Sequence, residues 1–183
     1  MYKRQGRIDE YLGGYLQADL DAGRIDVEGA REILASLFVK GCEWIRSEPP
    51  AGSGDAQHYQ NIVLGGVNEW GREVTNEVTY LILDVAEELG IGDFPITVRL
   101  SSRSPEKLFR RVAELWRHGG GIVAVYNEEL ILRSLEEYGY PPREAAKFAN
   151  DGCWEVQIPG KTFFSYVPFD ALELLPVSYT HLR

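Results

Sequence analysis

Apolar residues recur every three or four positions at the start of the chain, a spacing that predicts helices. Ile8, Leu12, Tyr15 or Leu16, and Leu20 mark a first helix within Gly6–Leu20, closed by a turn at Asp21-Ala22-Gly23. Asp26 is a suitable N-cap for a second helix, which places Val27, Ala30, Leu34, Leu37 and Ile45 on one side. It ends near Glu48-Pro49-Pro50, and a loop rich in Pro, Gly, Ser and Asp follows. From Asn61 the rhythm changes. Ile62-Val63-Leu64 is a short apolar run closed by Gly65-Gly66, and reads as a buried strand. Helical spacing returns at Val74, Val78, Leu81, Val85 and Leu89, with Gly90 as the stop. Ile96 to Leu100 is β-branched and strand-like. Ser104-Pro105 then predicts an N-cap and first-turn proline for a helix that buries Leu108, Val112 and Leu115. Gly119-Gly120-Gly121 separates it from a third strand, Ile122 to Tyr126. Asn127 caps a further helix with Ile131, Leu135 and Tyr138 inside, and a short helix follows Pro141-Pro142. Cys153 to Ile158 has the pattern of a fourth strand.

Strands alternating with helices predict an α/β fold: about four parallel strands with crossover helices, preceded by two helices. An open sheet and a barrel both fit. In either, ligand chemistry belongs at the C-terminal ends of the strands, where Gly65-Gly66, Arg99, Tyr126-Asn127 and the Cys153 segment all fall.

Composition narrows the function classes. The 183 residues are 44% hydrophobic and 26% charged, with a net charge of −9, enough to build a core and too acidic for a nucleic-acid-binding surface or an anionic membrane. No apolar run approaches the ~20 residues of a membrane span. Met1 to Arg7 is basic but leads into Ile8-Asp9-Glu10, so no secretory signal is predicted. Two distant cysteines, Cys42 and Cys153, make a disulfide framework implausible and point to the cytoplasm. His58 and His118 lack a partner at metal-ligand spacing, and no metal site is expected.

The densest chemistry is Asn150-Asp151-Gly152-Cys153-Trp154-Glu155. On a strand, Cys153 and Glu155 share a face, so a thiol could act beside a proton-moving carboxylate. A buried cysteine is more often a small hydrophobe. Arg99 could hold a substrate carboxylate in bidentate fashion, although a salt bridge is its plainer role. Tyr126 and Asn127 could line the same site, with Asn127 also accounted for as a helix cap.

Gly152-Cys153-Trp154-Glu155 resembles the Gly-Cys-x-Glu signature of the glycyl radical enzymes, the family of pyruvate formate-lyase and its dehydratase and decarboxylase relatives. Other stretches resemble the family in the same order: Leu64-Gly65-Gly66, Gly71-Arg72, Thr75-Asn76-Glu77-Val78-Thr79, Pro95 to Arg99, and Gly119 through Tyr126-Asn127-Glu128-Glu129. The resemblance covers roughly Gly6 to Leu175. Trp154 replaces the commoner small aliphatic residue, and Glu128 stands where Asp is more usual. A Cys-x-Glu pattern favours an eliminase or decarboxylase over a formate-lyase, which would carry two adjacent cysteines.

The resemblance implies part of a pyruvate formate-lyase-like barrel. Its chemistry would be that of a lyase whose cysteine thiyl radical, at Cys153, takes hydrogen from a small-molecule substrate while Glu155 serves as acid or base. The radical would reside on a glycine of a C-terminal segment missing from this chain, installed by a radical S-adenosylmethionine activating enzyme, with no bound metal or organic cofactor. The parent is expected to be a homodimer, and the chain alone to be an inactive fragment. Residues 1–5 and 176–183 resemble translated sequencing-adapter read-through of metagenomic origin. Two other readings fit the residues: a small α/β binding module derived from the same barrel, and a thiol enzyme using Cys153 and Glu155 in two-electron chemistry.

Overall fold

The computed structural model describes residues 6–42, 61–90, 95–119, 123–150 and 155–162. Two helices, α1 (Ile8–Asp21) and α2 (Val27–Cys42), precede β1 (Ile62–Gly65). Then come α3 (Glu77–Leu89), β2 (Ile96–Leu100), α4 (Glu106–Trp116), β3 (Val123–Asn127), α5 (Glu128–Glu137) and α6 (Pro142–Ala145). β4 (Ala149–Asn150) and β5 (Val156–Gln157) complete the described elements.

β1, β2 and β3 form a parallel sheet in that order, so each strand lies beside the next in sequence and a helix makes each crossover. The expected fourth strand does not join this sheet among the described residues. Its segment forms β5, which pairs antiparallel with β4, Ala149 opposite Gln157 and Asn150 opposite Val156. The short run Cys153 to Ile158 carried strand propensity but not pairing direction.

Each element forms for a local reason. In α3 the Asn76 side chain accepts from the Val78 amide at 2.9 Å, and Thr79 Oγ1 accepts from the Asn76 amide at 3.1 Å, a reciprocal cap. Val74 therefore lies before the helix. Gly90, at φ 61°, ends it. Val78, Ile82, Leu83, Val85 and Ala86 are buried against Ile62, Leu64, Ile96 and Val98 of the sheet and against Leu108, Val112 and Leu115 of α4. The capping residue of α4 is Pro105 and not Ser104, whose hydroxyl instead accepts from the Ser101 amide at 3.1 Å.

The helix stripes shift by a residue in places. α2 buries Ala30, Leu34 and Phe38, whereas Val27 and Leu37 are exposed. In α1, Leu16 packs on the core and Tyr15 is exposed. Tyr138, expected inside, is 83% exposed beyond the end of α5. Trp70 lies exposed with the Arg143 guanidinium stacked 4.4 Å from its ring. No helix among the described residues is long and apolar enough to cross a membrane.

Candidate active site

Parallel pairing puts the strand ends in register. Gly65 lies opposite Arg99, and Arg99 opposite Tyr126, so the three residues form one row across the C-terminal edge of the sheet. At the end of β1 the backbone turns sharply, with Gly65 at φ 66° and Gly66 at φ 76°. This left-handed conformation suits glycine, because a Cβ would crowd the backbone. The diglycine thus does more than close a strand: it carries the chain over the Arg99 side chain.

Arg99 is fully buried. Its Nη2 meets Glu128 Oε1 at 2.5 Å, and that oxygen also accepts from the Val67 amide at 2.7 Å. Nη1 donates to the carbonyls of Ala146 and Phe148 at 3.1 and 3.0 Å, and the guanidinium stacks 3.8 Å from the Phe148 ring. Burial, helped by the nearby charge of Arg7, lowers the Arg99 pKa to about 10, against the opposing pull of Glu128. A guanidinium engaged in this way organises backbone. Arg7, from the residue before α1, reaches the same place: its Nη1 donates to Val67 O at 2.7 Å and Ala146 O at 3.3 Å, and its Nη2 to Gly65 O at 2.9 Å.

The β4–β5 hairpin lies next to β1. Asn150 is buried, and its side chain hydrogen-bonds the Tyr126 hydroxyl. Burial raises the Tyr126 pKa, and the charge of Glu155 adds to the rise while Asn150 opposes it. Glu155 Oε2 is buried with no hydrogen-bond partner among the described residues. Tyr126, Asn150 and Glu155 therefore form one polar group at the strand ends. Asn127 points elsewhere in function: it is exposed, and its Oδ1 accepts from the Leu130 amide at 3.0 Å, capping α5. Cys153 lies outside the described residues. In sequence it stands midway between the paired residues Asn150 and Val156.

Three residues of this frame escaped the sequence reading as site components: Arg7, Asp9 and Glu128. Asp9 is fully buried on α1, where it accepts from the Gly65 amide (2.6 Å), the Glu10 amide (2.8 Å) and Thr79 Oγ1 (2.8 Å). It ties α1 and α3 to the end of β1. Charged residues within an amphipathic pattern read as solvent-facing, so the pattern hid them; an acidic residue preceded by Arg7-Ile8 near a predicted helix start was the available signal.

Burial outweighs these hydrogen bonds and raises the Asp9 pKa to about 6. The folded chain then holds this proton more tightly than the unfolded chain does. Stability contributed here is full below the unfolded value of 3.8 and falls as pH rises to about 6, by on the order of 3 kcal/mol. Asp9→Asn cannot titrate. The difference in unfolding free energy between wild type and Asp9→Asn should therefore change between pH 4 and 6, as urea titrations across that range can measure. A flat difference would mean that the hydrogen bonds hold Asp9 near its ordinary value.

Among the described residues no cluster of three His, Cys, Asp or Glu side chains could hold a metal ion. The family described as pyruvate formate lyase-like matches residues 4–176. Trans-4-hydroxy-L-proline dehydratase of Clostridioides difficile is 34% identical over 161 residues, covering 85% of this chain and 20% of the relative. An isethionate sulfite-lyase of Oleidesulfovibrio alaskensis is 30% identical over 174 residues, covering 91% of this chain and 21% of the relative. Among solved structures, one concerned with 1,2-propanediol dehydration in Roseburia inulinivorans superposes with a TM-score of 0.79 at 32% identity, covering 86% of this chain and 19% of that one. The chain spans about a fifth of the length of these relatives. With its motifs in order, its parallel strands matching part of the barrel, and a family match across nearly its whole length, this chain belongs to the pyruvate formate lyase-like family of glycyl radical enzymes.

Proposed function

We propose that this chain supplies the cysteine-bearing part of a glycyl radical lyase, one that removes a leaving group from a small polar substrate. Glu155 carries the reading: a carboxylate with one buried oxygen that has no hydrogen-bond partner among the described residues, beside Tyr126 and two residues after Cys153 in sequence. Such an oxygen suits a group that takes and returns a proton at a substrate. The family's glycyl radical supplies the unpaired electron that Cys153 would receive.

The steps on this chain balance without an external oxidant. The Cys153 thiyl takes a hydrogen atom from a substrate carbon, giving a thiol and a carbon radical. A C–O, C–N, C–S or C–C bond on the adjacent carbon breaks, and Glu155 gives or takes the proton that the leaving group requires. The product radical recovers hydrogen from the Cys153 thiol, which restores the thiyl. Tyr126 would hydrogen-bond substrate; its half-buried position near the charge of Glu155 supports this role. Arg99 acts through the backbone it binds, and Asn127 through the cap it provides. A rigid frame suits the reaction because hydrogen transfer requires the sulfur and carbon in near-contact.

The test uses the whole protein carrying this segment, activated anaerobically by its radical S-adenosylmethionine enzyme and offered small diols, hydroxy amino acids and hydroxysulfonates. Cys153→Ser should abolish turnover yet leave the glycyl radical visible by electron paramagnetic resonance. Glu155→Gln should retain the radical and lose about 100-fold or more in kcat. Turnover by Cys153→Ser would defeat the thiyl assignment.

A further inference from the structure

Two arginines from distant parts of the chain converge on one short backbone segment. Ala146 O accepts from both Arg7 Nη1 and Arg99 Nη1, and Phe148 O accepts from Arg99 Nη1. Val67 O likewise accepts from both, through Arg7 Nη1 at 2.7 Å and Arg99 Nη2 at 3.3 Å. The Phe148 ring is pressed beneath the Arg99 guanidinium, and Phe148, Ala149 and Asn150 are all buried. Burying two like charges together is costly; among the described residues Glu128, the half-exposed Glu10, 3.0 Å from Arg7, and the buried Asp9 offset them. A helix end that needed only its carbonyls satisfied could use water.

We infer that Arg7 and Arg99 are positioning residues, a paired clamp that fixes the Ala146–Phe148 backbone and so the stem of the β4–β5 hairpin. The functional importance of that stem rests on the reading of Cys153 and Glu155 above; the clamp itself does not. A guanidinium serves here because its planar fork reaches Ala146, Phe148, Val67 and Glu128 at once, which an ammonium cannot. The clamp ties the hairpin to two independent anchors. Through Arg99 it is fixed to the middle strand of the sheet, and through Arg7 to the start of α1 and the Gly65–Val67 turn. Among the described residues the hairpin has two ladder positions, so the side-chain bonds at its base contribute strongly to how firmly it is held.

Amide hydrogen exchange on the 183-residue chain tests this. Arg99→Lys keeps the charge beside Glu128 and removes the fork. Peptides covering β4 and β5 should exchange at least about tenfold faster, while peptides of β1 and α3 stay within about twofold of wild type. Arg7→Lys should give a smaller acceleration in the same hairpin peptides. Unchanged hairpin exchange in a folded Arg99→Lys, or equal acceleration everywhere, would overturn the clamp, since a merely structural role loosens the whole domain. If Arg99→Lys does not fold, Arg7→Lys decides by the same comparison. No outcome here depends on radical chemistry, so failure of the clamp and failure of the Cys153 assignment remain distinct.

Discussion

Replacing Gly66 by alanine is expected to destabilise the chain by more than about 3 kcal/mol, enough to unfold a domain of ordinary marginal stability. Two causes add. At φ 76° the backbone is in a region that side chains with a Cβ rarely adopt, a cost of about 1 kcal/mol or more. The new Cβ would also sit 2.6 Å from both Arg99 Nε and Glu128 Oε1 and 2.9 Å from Arg99 Cβ. Those neighbours cannot yield, because both side chains are fully buried and each holds backbone groups elsewhere. Gly71→Ala is the control. Its φ is 71°, nearly the same, yet nothing lies within 4 Å of an added Cβ, so it should cost only the conformational part. Thermal melts of the two variants separate the terms. Equal losses would show that the Arg99–Glu128 pair does not fill the space beneath Gly66.

The difference between these glycines explains what the sequence could and could not disclose. Strand–helix alternation was legible because Ile62-Val63-Leu64, Ile96 to Leu100 and Val123 to Tyr126 are short apolar runs between periodic segments, and burial of those runs fixes their layer. Gly90 was legible because helix stops act locally. The role of Gly66 was not, since it depends on two side chains that lie 33 and 62 positions later in the chain. The same holds for Asp9 and Arg7: in the pattern they are polar positions near a helix start, and only the docking of α1 beside β1 buries them. The direction of β5 was also hidden, because a short strand-like segment such as Val156-Gln157 leaves its partner open. Placement of candidate chemistry fared better. Expecting ligand chemistry at strand ends singled out Gly65, Arg99 and Tyr126, and parallel register makes them neighbours. That expectation did not separate a residue facing a substrate from one that holds the frame. Arg99 and Asn127 illustrate the difficulty, since each is placed at a strand end by sequence and engaged with backbone by the fold.

Breaking the buried ion pair from either side gives the other large effect. Arg99→Met leaves the Glu128 carboxylate fully buried, with the Val67 amide as its one hydrogen-bond donor among the described residues; it also leaves the carbonyl of Phe148 without its Arg99 donor. An uncompensated buried charge of this kind costs about 3–5 kcal/mol. Glu128→Gln should cost less, because the amide oxygen can still accept from Val67 and Arg99, while Arg99 retains its carbonyl acceptors. The double variant Arg99→Met with Glu128→Gln carries no unpaired charge at this position. Its loss should fall short of the sum of the single losses by about 1–3 kcal/mol, the coupling expected of groups in direct contact. Urea unfolding of the four proteins at pH 7 measures that coupling. Strict additivity would mean that solvent reaches the pair and screens it, contrary to its burial. A strong coupling would instead make the pair the pivot of the site. Its carboxylate fixes the Val67 turn after β1 and its guanidinium fixes the backbone before β4; β2 carries the arginine, and the start of α5 the carboxylate, to the edge where Tyr126 and Glu155 meet.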